Sequence, residues 1–223
     1  MRSIKGICYI IAACKEQLNK ISIPSNDNNL IIAADGGYDI LKELSIAPDI
    51  VLGDFDSIDN IPNHKNLIKH PAEKDDTDTL LSFKLGLKNG YKNFVIYGGT
   101  GGRFDHTIAN VRTLSEIADN DARGFLVGNG TIITVIKNSK LNFSSNMKGY
   151  LSIFACDDKA RQITLKGFKY NTENLDLPYS SSLCVSNEFT GEEGEVSVNN
   201  GKILVIWYDD EEDFINNISN FII

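Results

Sequence analysis

The pattern of apolar residues changes character once along this chain, near Asn138, and that change limits the folds open to it. Up to that point GICYIIAA, LIIAAD, DIVLGDFD, NFVIYGG and GFLVGNG read as strands ending in Gly or Asp. Between them YDILKELS, TDTLLSFKLGLKNG and DHTIANVRTLSEIADN carry apolar residues at helical spacing. Strands and helices in alternation specify an α/β domain with a largely parallel sheet, because parallel strands need a crossover and the crossover is usually a helix. Beyond Asn138 the helical spacing is gone, and LNFSS, GYLSIFAC, RQITLKGF, SLCVSNEF, GEVSVNN and KILVIWYDD read as strands separated by Gly and Asn turns. The expected architecture is an α/β domain over residues 1–140 followed by an all-β sandwich over 141–223.

With 223 residues, 42% of them hydrophobic, the chain can bury one large core or two modest ones. Its net charge of −8, with no Lys/Arg cluster to offset it, argues against a nucleic-acid partner. Cys8, Cys14, Cys156 and Cys184 show no C-x-x-C spacing and lie far in sequence from His64, His70 and His106, so neither a zinc site nor a disulfide framework is suggested. The opening MRSIKGICYIIAAC resembles a lipoprotein cleavage box, but its apolar run is short for a signal and cleavage would remove the strand that should open the fold. It reads as a buried first strand, no other run is long enough to span a bilayer, and a reducing cytoplasm is expected.

Residues 98–107, GGTGGRFDHT, follow a buried strand and open a helix, with Asp105 placed to cap it. Ligands bind at such carboxyl ends, free N–H groups at a helix start favour an anion, and Arg103 adds a planar donor fork suited to phosphate. An ordinary glycine turn beside a solvated arginine has the same letters, and G-x-x-x-x-G-K-[ST] is absent. The aspartates favour the phosphate reading. Asp35 in AADGG, Asp54 and Asp56 in GDFDS, and Asp75, Asp76 and Asp78 in KDDTD follow strands or open helices, where several can converge on one sheet edge. Crowded carboxylates repel one another unless a cation is present, and hard oxygen ligands select Mg²⁺. Asp54 and Asp56 flank the apolar Phe55, so an extended backbone would turn both carboxylates to one side. Asp59 and Asp76 read as turn or cap residues.

The ordered series ADGG, GDFDS, KDDTD and GGTGGRFDHTIAN, with GFKY (167–170) and VSNEF (185–189) later, resembles the thiamine pyrophosphokinase family over most of the chain. The resemblance implies an N-terminal α/β catalytic domain, a C-terminal β-sandwich that binds thiamine, and a homodimer. It also implies Mg²⁺-dependent transfer of pyrophosphate from ATP to thiamine, with AMP as the second product. Carried over residue by residue, Asp54, Asp56, Asp75 and Asp78 are metal and catalytic carboxylates, and Arg103 is catalytic. The nucleotide side takes Asp35, Gly36, Gly37, Thr77, Gly99, Thr100, Gly101, Gly102, Arg103, Asp105, His106 and Asn110. Ser186, Asn187 and Tyr170 fall on the thiamine side, Phe189 is a second stacking candidate, and Trp207 belongs to the core. The first strand ends in AACK where many members of that family have a glycine-rich turn, a departure that puts a phosphate contact by that loop in doubt. Two further classes fit parts of the pattern. One is an aspartate-dependent phosphatase with Asp54 as nucleophile and Asp56 as acid; the other is a non-catalytic thiamine or nucleotide sensor.

Overall fold

The computed structural model describes residues 6–15, 21–55, 64–71, 73 and 75–223, which form two compact units. The first unit comprises residues 1–113 and 126–129, the second 114–125 and 130–223.

In the first unit the chain forms β1 (Ile7–Ile11), β2 (Leu30–Ala34), α1 (Gly37–Glu43), β3 (Ile50–Gly53), β4 (Leu67–Lys69), α2 (Asp78–Lys88) and β5 (Asn93–Tyr97). It then enters α3 (Phe104–Asp119) and β6 (Arg123–Gly128), both of which are divided between the two units. The strand order is β4-β3-β2-β1-β5-β6, and the pairings β1–β2, β1–β5, β2–β3 and β3–β4 are all parallel. Every residue of β1 and β5 is buried, as expected of strands covered on both faces. The chain lays β2, β3 and β4 to one side of β1 and then returns through α2 to place β5 on the other side. That reversal creates a topological switch point at the carboxyl end of β1.

The second unit contains β7 (Thr131–Lys137), β8 (Lys140–Phe143), β9 (Tyr150–Ala155), β10 (Lys159–Lys166), β11 (Thr172–Pro178), β12 (Asn187–Glu188), β13 (Gly194–Asn200) and β14 (Lys202–Tyr208). Antiparallel pairing orders β7-β14-β9-β12 as the second unit's share of a ten-stranded sheet, and a separate four-stranded sheet is ordered β11-β10-β13-β8. Between them lies an aromatic core in which Trp207 meets Phe125, Phe143, Phe214 and Phe221 at ring separations of 5.4–6.5 Å, mostly edge to face.

The structure adds elements to the sequence reading and corrects one. A helix, α4 (Glu211–Asn216), does follow the last strand, contrary to the expectation of none beyond Asn138. Asp210 caps it by accepting from the N–H groups of Glu212 and Asp213, while Phe214 and Ile215 are buried. Six residues are too few for a helical period to show in sequence. Strands β4, β7 and β11 were not read, and SLCVSNEF pairs over Asn187–Glu188 alone. Among the described residues the four cysteines are free thiols, and no helix is long and apolar enough to cross a membrane.

Within the second unit a charge cluster ties the C-terminal end of α3 to the sheet. Asp119 accepts from Lys202 at 2.7 Å and lies 3.0 Å from Lys137. Burial alone would raise the Asp119 carboxyl, but the hydrogen bonds and charges of Lys202 and Lys137 hold it below the usual carboxylate range. A folded pKa below the unfolded one stabilises above the unfolded value and loses that stabilisation as pH falls through the folded value. Asp119→Asn should therefore lower stability at neutral pH by up to about 1 kcal/mol. In urea titrations repeated at falling pH, the gap between variant and parent should close under acid conditions.

Candidate active site

At the switch point three loops and two helix starts surround a cleft of about 570 Å³. Its wall is made by residues 12–15 after β1, Ala34 at the end of β2 and Asp35 after it, Thr77–Thr79 opening α2, the glycine loop after β5, and the first turns of α3.

Backbone hydrogen bonds fix the loops to one another. The Ala12 N–H donates to the Tyr97 carbonyl at 2.8 Å, and the Cys14 N–H donates to the Gly98 carbonyl at 3.2 Å. Gly98 has φ 65°, and a Cβ there would collide with the carbonyl of Ala12, so only glycine lets the β5 loop cross the end of β1 this closely. Asn110, buried on α3, donates from Nδ2 to the Gly99 carbonyl at 2.8 Å and ties the helix to the loop. Asp35 takes a left-handed conformation at the end of β2, φ 48°, and its N–H donates to the Leu52 carbonyl at 2.7 Å.

Both helix starts are built for charge. Thr77 caps α2 through Oγ1, which accepts the Leu80 N–H at 3.2 Å, and Asp78 occupies the first turn. At α3 the structure corrects the sequence reading: the helix begins at Phe104, so Asp105 sits inside its first turn and is not the cap. Its carboxylate accepts Arg103 Nη2 at 2.6 Å, Arg103 Nε at 3.2 Å and the His106 N–H at 3.0 Å. The hydrogen bond from Arg103 holds the Asp105 carboxyl below its usual range, and the same bond raises the guanidinium. Both side chains are mostly exposed, so the pair adds little stability; it orients the guanidinium at the mouth of the cleft.

Of the residues assigned from sequence, the cleft wall brings together Asp35, Thr77, Asp78, Gly99, Gly101, Gly102, Arg103, His106 and Asn110. Gly36, Gly37, Asp54, Asp75, Thr100 and Asp105 are near it in sequence but do not form the wall. Gly37 has a packing duty, since a Cβ there would strike the Ile11 carbonyl. Asp56 lies outside the described residues, as do Ser57, Asp59 and Lys74. The extended backbone expected through Phe55 is not found. β3 ends at Gly53, and Phe55 has φ 60° with a buried ring, so the chain bends as it leaves the sheet. Asp76 pairs with Lys84 at 2.5 Å, in keeping with a structural carboxylate. Ala12, Ala13, Cys14 and Lys15 are wall residues that the sequence reading missed; the signal available was that β1 ends there.

The donor chemistry suits Mg²⁺. Asp35 and Asp78 bring carboxylates into one cleft, and no group of three potential ligands is preassembled among the described residues. Mg²⁺ commonly takes one or two protein carboxylates and completes its octahedron with water and substrate phosphates.

In the second unit Asn187 is buried and both polar atoms of its amide are hydrogen-bonded. Oδ1 accepts the N–H groups of Tyr170 at 2.9 Å and Glu188 at 3.0 Å, while Nδ2 donates to the Tyr170 carbonyl at 2.9 Å. This clamp presents the exposed Tyr170 ring beside a pocket of about 410 Å³ with Leu165, Leu175, Leu183 and Cys184 in its wall. Ser186 has φ 60° and donates its N–H to Ser152 Oγ at 3.0 Å. Phe189 instead packs on Phe143 and Phe168 at 5.3 Å.

A parallel sheet with a phosphate-suited cleft at its switch point, joined in one chain to an antiparallel β unit, places the chain among two-part α/β proteins with an anion-suited cleft. Residues 24–126 match the family "Thiamin pyrophosphokinase, catalytic domain" and residues 133–203 match "Thiamin pyrophosphokinase, vitamin B1 binding domain". The chain belongs to the thiamin pyrophosphokinase family. It is 27% identical over 210 residues to the thiamine pyrophosphokinase of Bacillus subtilis, covering 91% of this chain and 98% of that protein. It is 29% identical over 172 residues to thiamin pyrophosphokinase 1 of Caenorhabditis elegans, covering 71% of each. The crystal structure of the Bacillus subtilis enzyme superposes with a TM-score of 0.80 over 92% of this chain and 100% of that one, at 27% identity.

Because Asn110 holds the glycine loop by one buried bond, Asn110→Ala leaves the Gly99 carbonyl without that donor. Thermal unfolding should show a loss of about 1–3 kcal/mol. The KM for nucleotide should rise in the same variant, whereas an intact KM with lost stability would restrict Asn110 to packing.

Proposed function

We propose that this chain transfers the pyrophosphoryl group of ATP to the hydroxyl of thiamine, releasing AMP. The observation that carries the proposal is the cleft where Asp35, Asp78, the glycine loop and Arg103 meet two helix starts. The thiamine hydroxyl oxygen attacks the β-phosphorus, the bond from that phosphorus to the α–β bridging oxygen breaks, and the hydroxyl proton is lost. Such a reaction asks the protein chiefly for positioning and charge neutralisation. Backbone N–H groups and the helix dipoles at the starts of α2 and α3 attract phosphate oxygens, and Arg103 supplies a fork able to exchange Asp105 for them. Asp35, Gly36, Gly37, Thr77, Gly99, Thr100, Gly101, Gly102, Asp105, His106 and Asn110 complete the nucleotide side. Mg²⁺, when bound, neutralises polyphosphate charge, and Asp54, Asp56, Asp75 and Asp78 are proposed as its ligands.

On the acceptor side, Tyr170 and Ser186 are proposed to contact thiamine, and Asn187 to act through Tyr170 by fixing its backbone. The nucleotide function is assigned to residues 1–140, and thiamine binding and dimerisation to 141–223. The chain is proposed to work as a cytoplasmic homodimer.

The test is to incubate the purified protein with ATP, Mg²⁺ and thiamine and to separate the products. AMP should appear in step with thiamine diphosphate. ADP would contradict the mechanism, phosphate alone would favour the phosphatase, and no turnover would favour a sensor. Asp78→Asn and Asp54→Asn should each lower kcat by on the order of a hundredfold with the fold intact by circular dichroism. Arg103→Lys should lose activity despite its retained charge, because an ammonium cannot make the two-point contact.

Asn187→Ala and Tyr170→Ala should both raise the KM for thiamine several-fold and leave the KM for ATP unchanged. Equal effects on both substrates would remove these residues from the acceptor side. If the site is shared between subunits, heterodimers of Asn187→Ala and Asp54→Asn chains should regain activity; inactive heterodimers would mean that each chain builds its site alone.

A further inference from the structure

The four residues after β1 were given no role by sequence, yet they form one wall of the nucleotide cleft, and Lys15 is the cation among them. Its place in the wall is set by the backbone: Ala12 and Cys14 are hydrogen-bonded to the β5 loop at Tyr97 and Gly98. The lysine stem therefore starts next to backbone that is fixed to the glycine loop, in the same cleft wall as Arg103.

The charges of the wall do not balance a polyphosphate. Asp35 and Asp78 line the cleft and repel it. Arg103 is already held by two hydrogen bonds to Asp105, both of which it must give up to turn fully to a new anion. Lys15 is bound far less tightly. Its Nζ lies 3.7 Å from Oε1 of Glu43, beyond hydrogen-bond length, and both side chains are more than half exposed. A lysine on a flexible four-carbon stem and in such a weak pair changes partners at little cost.

Resting on the nucleotide reading above, we propose that Lys15 leaves Glu43 when nucleotide enters and binds the polyphosphate, so that the β1 loop contributes a charged side chain to the phosphate site. The contact is a point charge and not a fork, and it acts on the phosphates beyond the first. Its strength falls with added salt, because an exposed ammonium is screened.

Calorimetric titration of the full chain with Mg²⁺-ATP and with AMP tests this. At low ionic strength Lys15→Ala should weaken Mg²⁺-ATP by roughly five- to tenfold, while AMP changes by less than about twofold. Lys15→Arg should stay within about twofold of the parent for ATP, since a point charge is retained. Glu43→Gln, which removes the competing carboxylate, should tighten ATP by roughly twofold. The Lys15→Ala penalty should shrink as salt is raised. Parent-like ATP affinity in Lys15→Ala overturns the assignment, as does an equal loss for AMP, which would mark a distorted loop. If the parent protein binds neither nucleotide, the nucleotide reading falls with it; if the parent binds ATP and Lys15→Ala matches it, only the role of Lys15 falls.

Discussion

The candidate site depends on the parallel pairing of β1 with β2 on one side and β5 on the other. Parallel strands end at the same edge, so the residues that leave β1, β2 and β5 are delivered together. Backbone bonds from Ala12 and Cys14 to the β5 loop then fix the spacing of these exits to hydrogen-bond precision. Gly98 permits the closest of these approaches, because any Cβ at that position would occupy the space of the Ala12 carbonyl. The five wholly buried residues of β1 anchor the arrangement in apolar material that water does not reach.

Charge is arranged around that frame with a division of labour. Backbone N–H groups at two helix starts give a fixed positive potential that needs no side-chain ordering. Arg103 is held in a defined orientation by Asp105, whereas Lys15 faces Glu43 across 3.7 Å and is loosely held. A preoriented fork and a loose ammonium answer different needs, the first direction and the second neutralisation. The carboxylates Asp35 and Asp78 share the wall with these cations, so the cleft carries both signs of charge.

In the second unit the aromatic cluster around Trp207 fills the space between two antiparallel sheets, and the exposed Tyr170 is excluded from it. Asn187 explains why. A buried amide with every hydrogen-bonding atom spent on Tyr170 and Glu188 backbone fixes the chain there, so Tyr170 projects outward although it follows the buried Phe168 by two residues.

Local sequence determined most of the secondary structure and the division of labour along the chain. The period of about three and a half residues that backbone geometry imposes on helices is legible in α2 and α3, and β1, β2 and β5 are legible as short, nearly continuous apolar runs, as befits strands covered on both faces. It also determined the chemical character of the site, since Asp35, Asp78, Gly98–Gly102 and Arg103 carry carboxylates, backbone freedom and a donor fork wherever the chain puts them. Strands β4 and β11 were missed because they lack the nearly continuous apolar run that marks the short β1, β2 and β5, and the six-residue α4 is too short to show a helical period. Only the tertiary structure decided which loops share a cleft. Strand order is a choice among pairings with similar local energies, and placing β5 beside β1 is what makes wall residues of Cys14 and Lys15 and turns a row of motifs into one site. It also decided that Phe55 bends away from the strand and that Asn187 serves Tyr170, because both depend on partners distant in sequence that no local pattern encodes.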